Sequence, residues 1–222
     1  MAQDGRLTRR MLGVLAARLP EARLDQVNDP RGLRGRRWPL FILLRAVLVA
    51  MVAGCKSLAL AEALAAEMSM PLRKRLGIVR RIADTTLRDV LCALDPAELR
   101  GPLHALVRAA HRRKALEPDK LPFGVAALDG KSTALPSCDD DFAQRQSQGE
   151  GGLTGVVRTT TCTLISSPAM PCIDAIPIPA ATNEMGHFEA SVRSLAQAYN
   201  GINLFRMITY DAGACSEHNA RV

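Results

Sequence analysis

The sequence predicts a helical N-terminal part followed by a mixed α/β part. Before Pro122 the apolar residues mostly recur at helical spacing, whereas after it short apolar and threonine-rich runs alternate with polar, glycine-rich segments. The charge changes at the same place. Residues 1–122 carry 23 Lys and Arg against 12 Asp and Glu, and residues 123–222 carry 6 against 10. We therefore expect the first part to meet a polyanion and the second to hold a carboxylate site.

The first part divides into a polar arm over residues 1–30, with one weak amphipathic stretch from Leu7 to Leu19, and a basic helical domain over residues 31–116. The most apolar stretch of the chain, Trp38 to Cys55, contains Arg45. A charge near the centre of a membrane costs about 2.5–3.5 kcal/mol. We therefore interpret this stretch as a buried helix and predict no membrane span.

Three further helices are predicted in the first part from capping residues. Ser57 is expected to cap a helix from Leu58 to Met68, and Asp84 a helix from Thr85 to Leu94. Asp95-Pro96-Ala97-Glu98 has the pattern of a capping box, which predicts a fourth helix. The expected inner face of that helix comprises Leu99, Leu103, Leu106, Val107 and Ala110.

The second part, over residues 123–222, is predicted to run strand, strand, strand, helix, strand. The first strand, Phe123 to Leu128, is expected to end in a turn at Asp129-Gly130, and residues 136–152 are expected to form a loop. The later segments are strands Leu153–Ile165 and Cys172–Ile178, a helix capped by Asn183, and strand Leu204–Tyr210. Pro177 suggests that the third strand lies at an edge.

The six cysteines are dispersed and include no Cys-x-x-Cys pair. This spacing favours reduced thiols and a cytoplasmic protein over a disulfide scaffold or a zinc site. No long apolar segment follows the arginines at the N-terminus directly, so we predict no signal peptide.

Two aspartates follow predicted strands, Asp129 after the first and Asp211 after the last. A carboxylate at a strand end faces the crevice in which open α/β folds bind ligands. Two such carboxylates on neighbouring strands can share divalent cations, and paired cations promote phosphoryl transfer. For a single aspartate, a strand-ending or capping role is the simpler interpretation; the pair in this order favours a metal site.

Basic residues of the first part are candidates for DNA phosphate contacts. The helix after Asp84, which exposes Arg88, has the position of a recognition helix in a helix-turn-helix unit. A basic solvent-facing surface is the alternative interpretation. The candidates are Arg34, Arg36 and Arg37 in a glycine-spaced loop, Arg73, Lys74, Arg75, Arg80 and Arg81 before the helix, and Arg88 within it.

Three segments resemble bacterial insertion-sequence transposases of the DDE type. They are Val125-Ala126-Ala127-Leu128-Asp129-Gly130-Lys131, Pro177-Ile178-Pro179-Ala180-Ala181-Thr182-Asn183-Glu184-Met185 and Ile208-Thr209-Tyr210-Asp211-Ala212-Gly213-Ala214-Cys215. The first part also resembles the helical domain of the H-repeat-associated branch, with its entry from Asp29 to Leu40. The resemblance extends over nearly the whole chain from about residue 25.

The resemblance implies an incomplete ribonuclease-H-like core after a helical domain. Asp129 and Asp211 would be the first two catalytic acids and ligands of Mg²⁺ or Mn²⁺, for cleavage and transfer of double-stranded DNA at transposon ends. Lys131 would contact a phosphate, and Asn183 and Glu184 would support the site. A solvated turn lysine and a helix cap are the simpler interpretations of Lys131 and Asn183.

The family's third acid lies on a later helix, and no residue here matches it. The resemblance therefore implies a transposase fragment, inactive alone, with a homodimer or a complementing C-terminal fragment as partner and a nucleoid-associated location. The alternative is a DNA-binding remnant that uses the basic helical domain without catalysis. A haloacid-dehalogenase phosphatase also begins with strand and Asp, but it needs an acid where Lys131 stands.

Overall fold

The computed structural model describes residues 2–135, 143–148, 152–211 and 216–221. The chain divides into two compact units, Met1–Leu106 and Val107–Val222. Within the described residues, no helix combines the length and the apolar character that crossing a bilayer requires.

The first unit is helical. Its helices are α1 (Ala2–Arg18), α2 (Leu40–Val52), α3 (Leu58–Glu67), α4 (Met70–Leu76), α5 (Asp84–Ala93) and the start of α6 (Arg100–Arg112), and its short 3₁₀ turns are Leu19–Ala22, Leu24–Gln26, Leu33–Gly35 and Pro96–Leu99. The buried helix predicted around Arg45 is α2, whose Leu43 and Val49 are each 1% exposed. This helix is the centre of an aliphatic core to which all of α1 to α5 contribute.

The structure differs from the predicted polar arm over residues 1–30. Helix α1 occupies most of this segment, and Leu12, Leu19 and Leu24 are buried in the core. The apolar residues there are few, but several of them are buried in the same core as α2. The unit boundary also falls inside α6, ahead of the predicted linker.

The predicted helix starts have mixed outcomes. The prediction for Ser57 is confirmed, because its hydroxyl accepts a hydrogen bond from the Leu60 N–H at 3.2 Å. The prediction for Asp84 is wrong: Asp84 is the first residue of α5, and Ala83 is the N-cap. Asp95 accepts from the Ala97 N–H at 2.9 Å, whereas Glu98 accepts from the distant Asn28 N–H at 3.3 Å, so the reciprocal half of the capping box is not made.

The inner face predicted for the fourth helix is only partly correct. Val107 is 5% exposed in α6, but Leu99 is 39% exposed. Leu99 lies in the 3₁₀ turn before α6, where the 3.6-residue period does not apply.

The second unit contains strands β1 (Val125–Leu135), β2 (Ala143–Gln148), β3 (Gly152–Leu164), β4 (Cys172–Ile178) and β5 (Met207–Tyr210), with helices α7 (Glu184–Ala198) and α8 (Glu217–Ala220). The strand order is β2-β3-β1-β5, and β4 also pairs with β3. All pairs are antiparallel except β1 with β5, which is parallel. The segment from β4 through α7 to β5 therefore returns the chain to the far side of β1.

Two local predictions for this unit are wrong. Strand β1 continues through Asp129-Gly130, with Asp129 paired to Thr161, so no turn lies there. The predicted loop over residues 136–152 contains β2, while residues 136–142 and 149–151 lie outside the described residues. The long strand β3 pairs with Asp129-Gly130 on one side and with residues 143–148 on the other. Such tertiary pairing overrides the local turn signal.

The helix and edge-strand predictions hold. The Asn183 side chain accepts from the Gly186 N–H at 2.8 Å and caps α7. Strand β4, which contains Pro177, pairs with β3 alone among the described strands. Phe188 and Leu195 of α7 are buried, as is its C-cap Tyr199, but Met185 is 50% exposed.

Candidate functional site

Asp129 lies in β1, and Asp211 directly follows β5, the parallel neighbour of β1. Leu128 in β1 is in register with Tyr210 in β5, and each aspartate is the next residue along its chain. Neighbouring strands lie about 4.7–4.9 Å apart. The two aspartates are therefore adjacent across the sheet, at the carboxyl end of β5.

The same register places both aspartates on one face of the sheet. The Tyr210 ring packs edge-on against Phe188 of α7, with 4.7 Å between centroids, so Tyr210 and its partner Leu128 face α7. Because side chains alternate along a strand, the residues that follow them face the other way. Both aspartates are exposed, and Asp211 is the first residue after β5.

Close backbone packing and a side-chain contact hold β1 in place at this site. A Cβ on Gly124 would lie 2.0 Å from the Leu204 carbonyl oxygen, so only glycine permits this approach of the segment before β5. Arg206 N–H donates to the Gly124 carbonyl at 2.9 Å. The Thr161 hydroxyl donates to the Asp129 carbonyl at 3.0 Å. The aspartate backbone is thus fixed by both neighbouring strands.

The donor set suits a hard cation. Mg²⁺ is usually bound by one or two carboxylates together with waters and substrate phosphates, and two exposed carboxylates on one face meet that need. Within the part of the chain that the structure describes, no group of three or more His, Cys, Asp or Glu residues is placed to hold a metal. Residues 212–215, which complete the third motif, lie outside the described residues.

Glu184 approaches β1 from the α7 side. A Cβ on Gly130 would lie 2.0 Å from a Glu184 carboxylate oxygen, so glycine makes room for this side chain. By strand alternation, the Gly130 position faces opposite to Asp129. Glu184 therefore lies against Gly130, on the face of the sheet opposite to Asp129. Lys131 is exposed, on the same face as Asp129.

In the first unit, several predicted DNA-binding residues hold the fold together. The Arg36 side chain donates to the Arg31 carbonyl at 3.0 Å and the Asp29 carbonyl at 3.2 Å. Arg73 donates to the Ile78 carbonyl at 3.3 Å, and Arg75 to the Gly13 carbonyl at 3.5 Å. These arginines keep their positive charge, but their side chains are hydrogen-bonded to backbone carbonyls.

The other candidates of this unit differ in how they are engaged. Arg80 lies over the Trp38 ring, 5.8 Å from its centroid, and Arg81 forms an ion pair with Glu62. The remaining candidates are exposed: Arg34, Arg37, Lys74 and Arg88. These four side chains are the best placed of the set to meet phosphates.

Glu62 is an organising residue that the sequence patterns did not reveal. Its carboxylate accepts from the Asp84 N–H at 3.0 Å and so caps α5 from α3. This hydrogen bond, followed by that from Arg81, lowers the pKa of Glu62 from its ordinary value. The cap comes from 22 residues away, so only the packing of α3 on α5 reveals it.

Arg31 and Asp29 organise the basic loop in the same way. The Arg31 guanidinium donates to Asp29 at 2.9 Å and to the Trp38 carbonyl at 2.7 Å. The hydrogen bonds from Arg31 hold the pKa of Asp29 below its ordinary value despite partial burial. The loop that carries Arg34 and Arg37 is therefore held at both ends.

One comparison with known proteins bears on this arrangement. Residues 22–107 match the family described as DDE_Tnp_1-associated. The match supports a region associated with DDE-type transposases and suggests a transposase-related role for the chain. No curated protein matches the chain.

Proposed function

We propose that the chain acts in DNA transposition as a DDE-type transposase of insertion-sequence type, with a helical DNA-binding unit and a metal-binding catalytic unit. The observation that carries the proposal is the pair Asp129 and Asp211, adjacent on parallel strands, in a chain whose residues 22–107 match a transposase-associated domain.

The second unit has the element order expected of a ribonuclease-H-like core. Strand β1 pairs antiparallel with β3, β3 with β4, and the chain then crosses through α7 to β5, a parallel neighbour of β1. This order supports the proposed fold, in which the two aspartates occupy the first two catalytic positions.

Asp129 and Asp211 would hold Mg²⁺ or Mn²⁺. When bound, such cations activate a hydroxyl nucleophile and stabilise the leaving oxygen in phosphoryl transfer. The carboxylates position the cation, and the sheet fixes their separation. A complementing C-terminal fragment would supply a third carboxylate.

The first unit would bind the double-stranded DNA of the transposon ends, which gives the protein a nucleoid-associated, cytoplasmic location. Arg34, Arg37, Lys74 and Arg88 are exposed and can contact phosphates. Their contacts position the DNA without reading its sequence.

A second candidate function is DNA binding without catalysis. It is favoured by the charge distribution, because residues 1–122 carry 23 of the 29 basic residues of the chain. In this case the aspartate pair would be vestigial, and the first unit alone would account for function.

Manganese binding distinguishes the two candidates. Titration of the full chain with Mn²⁺, followed by electron paramagnetic resonance of the free ion, should show binding that Asp129→Asn and Asp211→Asn each abolish. Asp119→Asn, which changes an exposed acid elsewhere in the same unit, should bind as the wild type does. Duplex DNA affinity should be the same in all four proteins. If the wild type binds no Mn²⁺, or if both variants retain binding, the metal-dependent function is wrong.

A further inference from the structure

Thr161 of β3 lies directly opposite Asp129 of β1 in the antiparallel pair of strands. Side chains that are directly opposite share a face of the sheet, with Cβ atoms about 4.5–5.5 Å apart. Thr161 is half-buried on the face that carries Asp129, whereas the next residue, Cys162, is 0% exposed on the face that α7 covers. Asp129 therefore has Thr161 beside it on β3 and Asp211 beside it at the end of β5.

Asp129 has fewer strand contacts than the residue before it. The parallel pairing of β1 with β5 extends as far as Leu128 with Tyr210, so among the described strands Asp129 is paired with β3 alone. The carbonyl of Asp129 belongs to the peptide that joins it to Gly130, and glycine leaves the backbone freer than other residues do. The direction of the Asp129 carboxylate depends on how this peptide is held.

The Thr161 hydroxyl holds the peptide between Asp129 and Gly130. It donates to the Asp129 carbonyl oxygen at 3.0 Å, within the normal range for such a hydrogen bond. On the opposite face of the sheet, the Glu184 carboxylate lies against Gly130, where an added Cβ would be 2.0 Å from an oxygen. The peptide is therefore held from both faces.

Two other threonines of β3 share the face of Thr161 but not its hydrogen bond. Thr159 and Thr163 lie two residues before and after it, and both are half-buried as Thr161 is. Because side chains alternate along a strand, all three point to the same face. Among the described residues, neither flanking hydroxyl forms a hydrogen bond with β1. These two threonines are therefore matched controls for Thr161.

We propose that Thr161 is a positioning residue of the metal site, whose hydroxyl fixes the direction of the Asp129 carboxylate and so raises the affinity of the aspartate pair for a divalent cation. This inference rests on the proposed function and adds a residue of β3 to the site. Ligands must be held to within about 0.5 Å of the productive geometry. Removing a residue that orients a metal ligand typically lowers metal affinity by about 10–100-fold.

The test is Mn²⁺ binding by the full chain, followed by electron paramagnetic resonance of the free ion. Thr161→Val keeps the β-branched shape of the side chain but removes the hydroxyl, and it should weaken binding by about tenfold. Thr161→Ser keeps the hydroxyl and should recover most of the affinity. Thr159→Val and Thr163→Val should bind Mn²⁺ as the wild type does.

Urea unfolding of the same variants separates positioning from stability. Valine suits a strand at least as well as threonine, whereas serine lacks the β-branch, so Thr161→Val should be the more stable variant. A purely structural role therefore predicts weaker Mn²⁺ binding in Thr161→Ser than in Thr161→Val, and a positioning role predicts the opposite order.

Three outcomes overturn the inference but leave the proposed function standing. They are wild-type affinity in Thr161→Val, weaker binding in Thr161→Ser than in Thr161→Val, and equal losses in Thr161→Val and Thr163→Val. A wild type that binds no Mn²⁺ overturns both the inference and the metal-dependent function.

Discussion

The two units use their arginines differently. In the first unit, the side chains of Arg31, Arg36, Arg45 and Arg73 donate to backbone carbonyls. In the second unit, Arg145 and Arg158 line a cavity of about 580 Å³, and within the described residues neither forms an ion pair. A higher positive charge in the first unit therefore does not mean that more of its arginine side chains are available to a ligand.

The difference follows from how each unit satisfies its backbone. Short helices leave carbonyls without partners at their C-terminal ends. Arg45 donates to the Leu76 carbonyl at the end of α4 at 3.0 Å, and Arg73 donates to Ile78 just beyond it. A sheet satisfies its own carbonyls through strand pairing, so its arginines are not needed for that purpose. Arg108, which donates to the Ala198 carbonyl at the end of α7, follows the same rule, since it too serves a helix.

The largest expected effect comes from comparing two half-buried arginines. Arg45→Gln should lower the free energy of unfolding by about 1.5–3 kcal/mol, because it removes a charged hydrogen bond and leaves the Leu76 carbonyl unpaired. Arg158→Gln should change it by no more than about 0.5 kcal/mol. Urea unfolding of the full chain, followed by Trp38 fluorescence and far-UV circular dichroism, measures both.

Equal losses of stability in these two variants would contradict the distinction between the units. The comparison is fair because both side chains are partly buried and are shortened by the same amount. Trp38, the single tryptophan, reports on the first unit, and circular dichroism reports on the whole chain.

A smaller effect is expected from a neutral hydrogen bond in the second unit. The buried Tyr199 hydroxyl donates to the Ile173 carbonyl at 2.5 Å, and burial raises the pKa of this tyrosine well above its ordinary value. Tyr199→Phe should cost about 1 kcal/mol of unfolding free energy. Tyr210→Phe, whose half-buried ring packs on Phe188, is the control and should cost less than about 0.5 kcal/mol. A loss in the control as large as that in Tyr199→Phe would show that the buried Tyr199 hydroxyl contributes no more than a half-buried one.

The sequence predicted those features that depend on neighbouring residues. Asn183 caps α7 within its own turn, Ser57 caps α3, and the apolar run around Leu43 forms the buried helix. The placement of Asp129 beside Asp211 was also predictable from the order of strands and helix. Each of these features is determined either by residues close together in the chain or by the order of strands and helices.

The features that the sequence did not predict depend on distant contacts. Asp129-Gly130 has the composition of a turn, but pairing with Thr161 and Thr160 continues the strand, and Gly130 instead accommodates Glu184. The polar residues of β2 become a strand only because β3 is long enough to pair with them. Strands β2 and β4 end at the same point of β3, and no local pattern in the sequence records that.

The smallest effect is expected from Glu62, and it depends on pH. Hydrogen bonds from the Asp84 N–H and Arg81 lower the pKa of Glu62 in the folded protein, so its carboxylate stabilises the first unit above the unfolded value near 4.5. That contribution should be lost as pH falls through the lower pKa of the folded state. In Glu62→Gln the amide oxygen can still cap α5, but the charge that attracts Arg81 is absent.

The stability difference between wild type and Glu62→Gln, measured by urea unfolding followed by Trp38 fluorescence, should therefore be present at pH 6 and disappear at pH 3. Asp29 titrates in both proteins, so the difference isolates Glu62. Glu67→Gln, an exposed glutamate in the same helix, should show no such pH dependence. A difference that grows as the pH falls would mean that the carboxylate is not what caps α5.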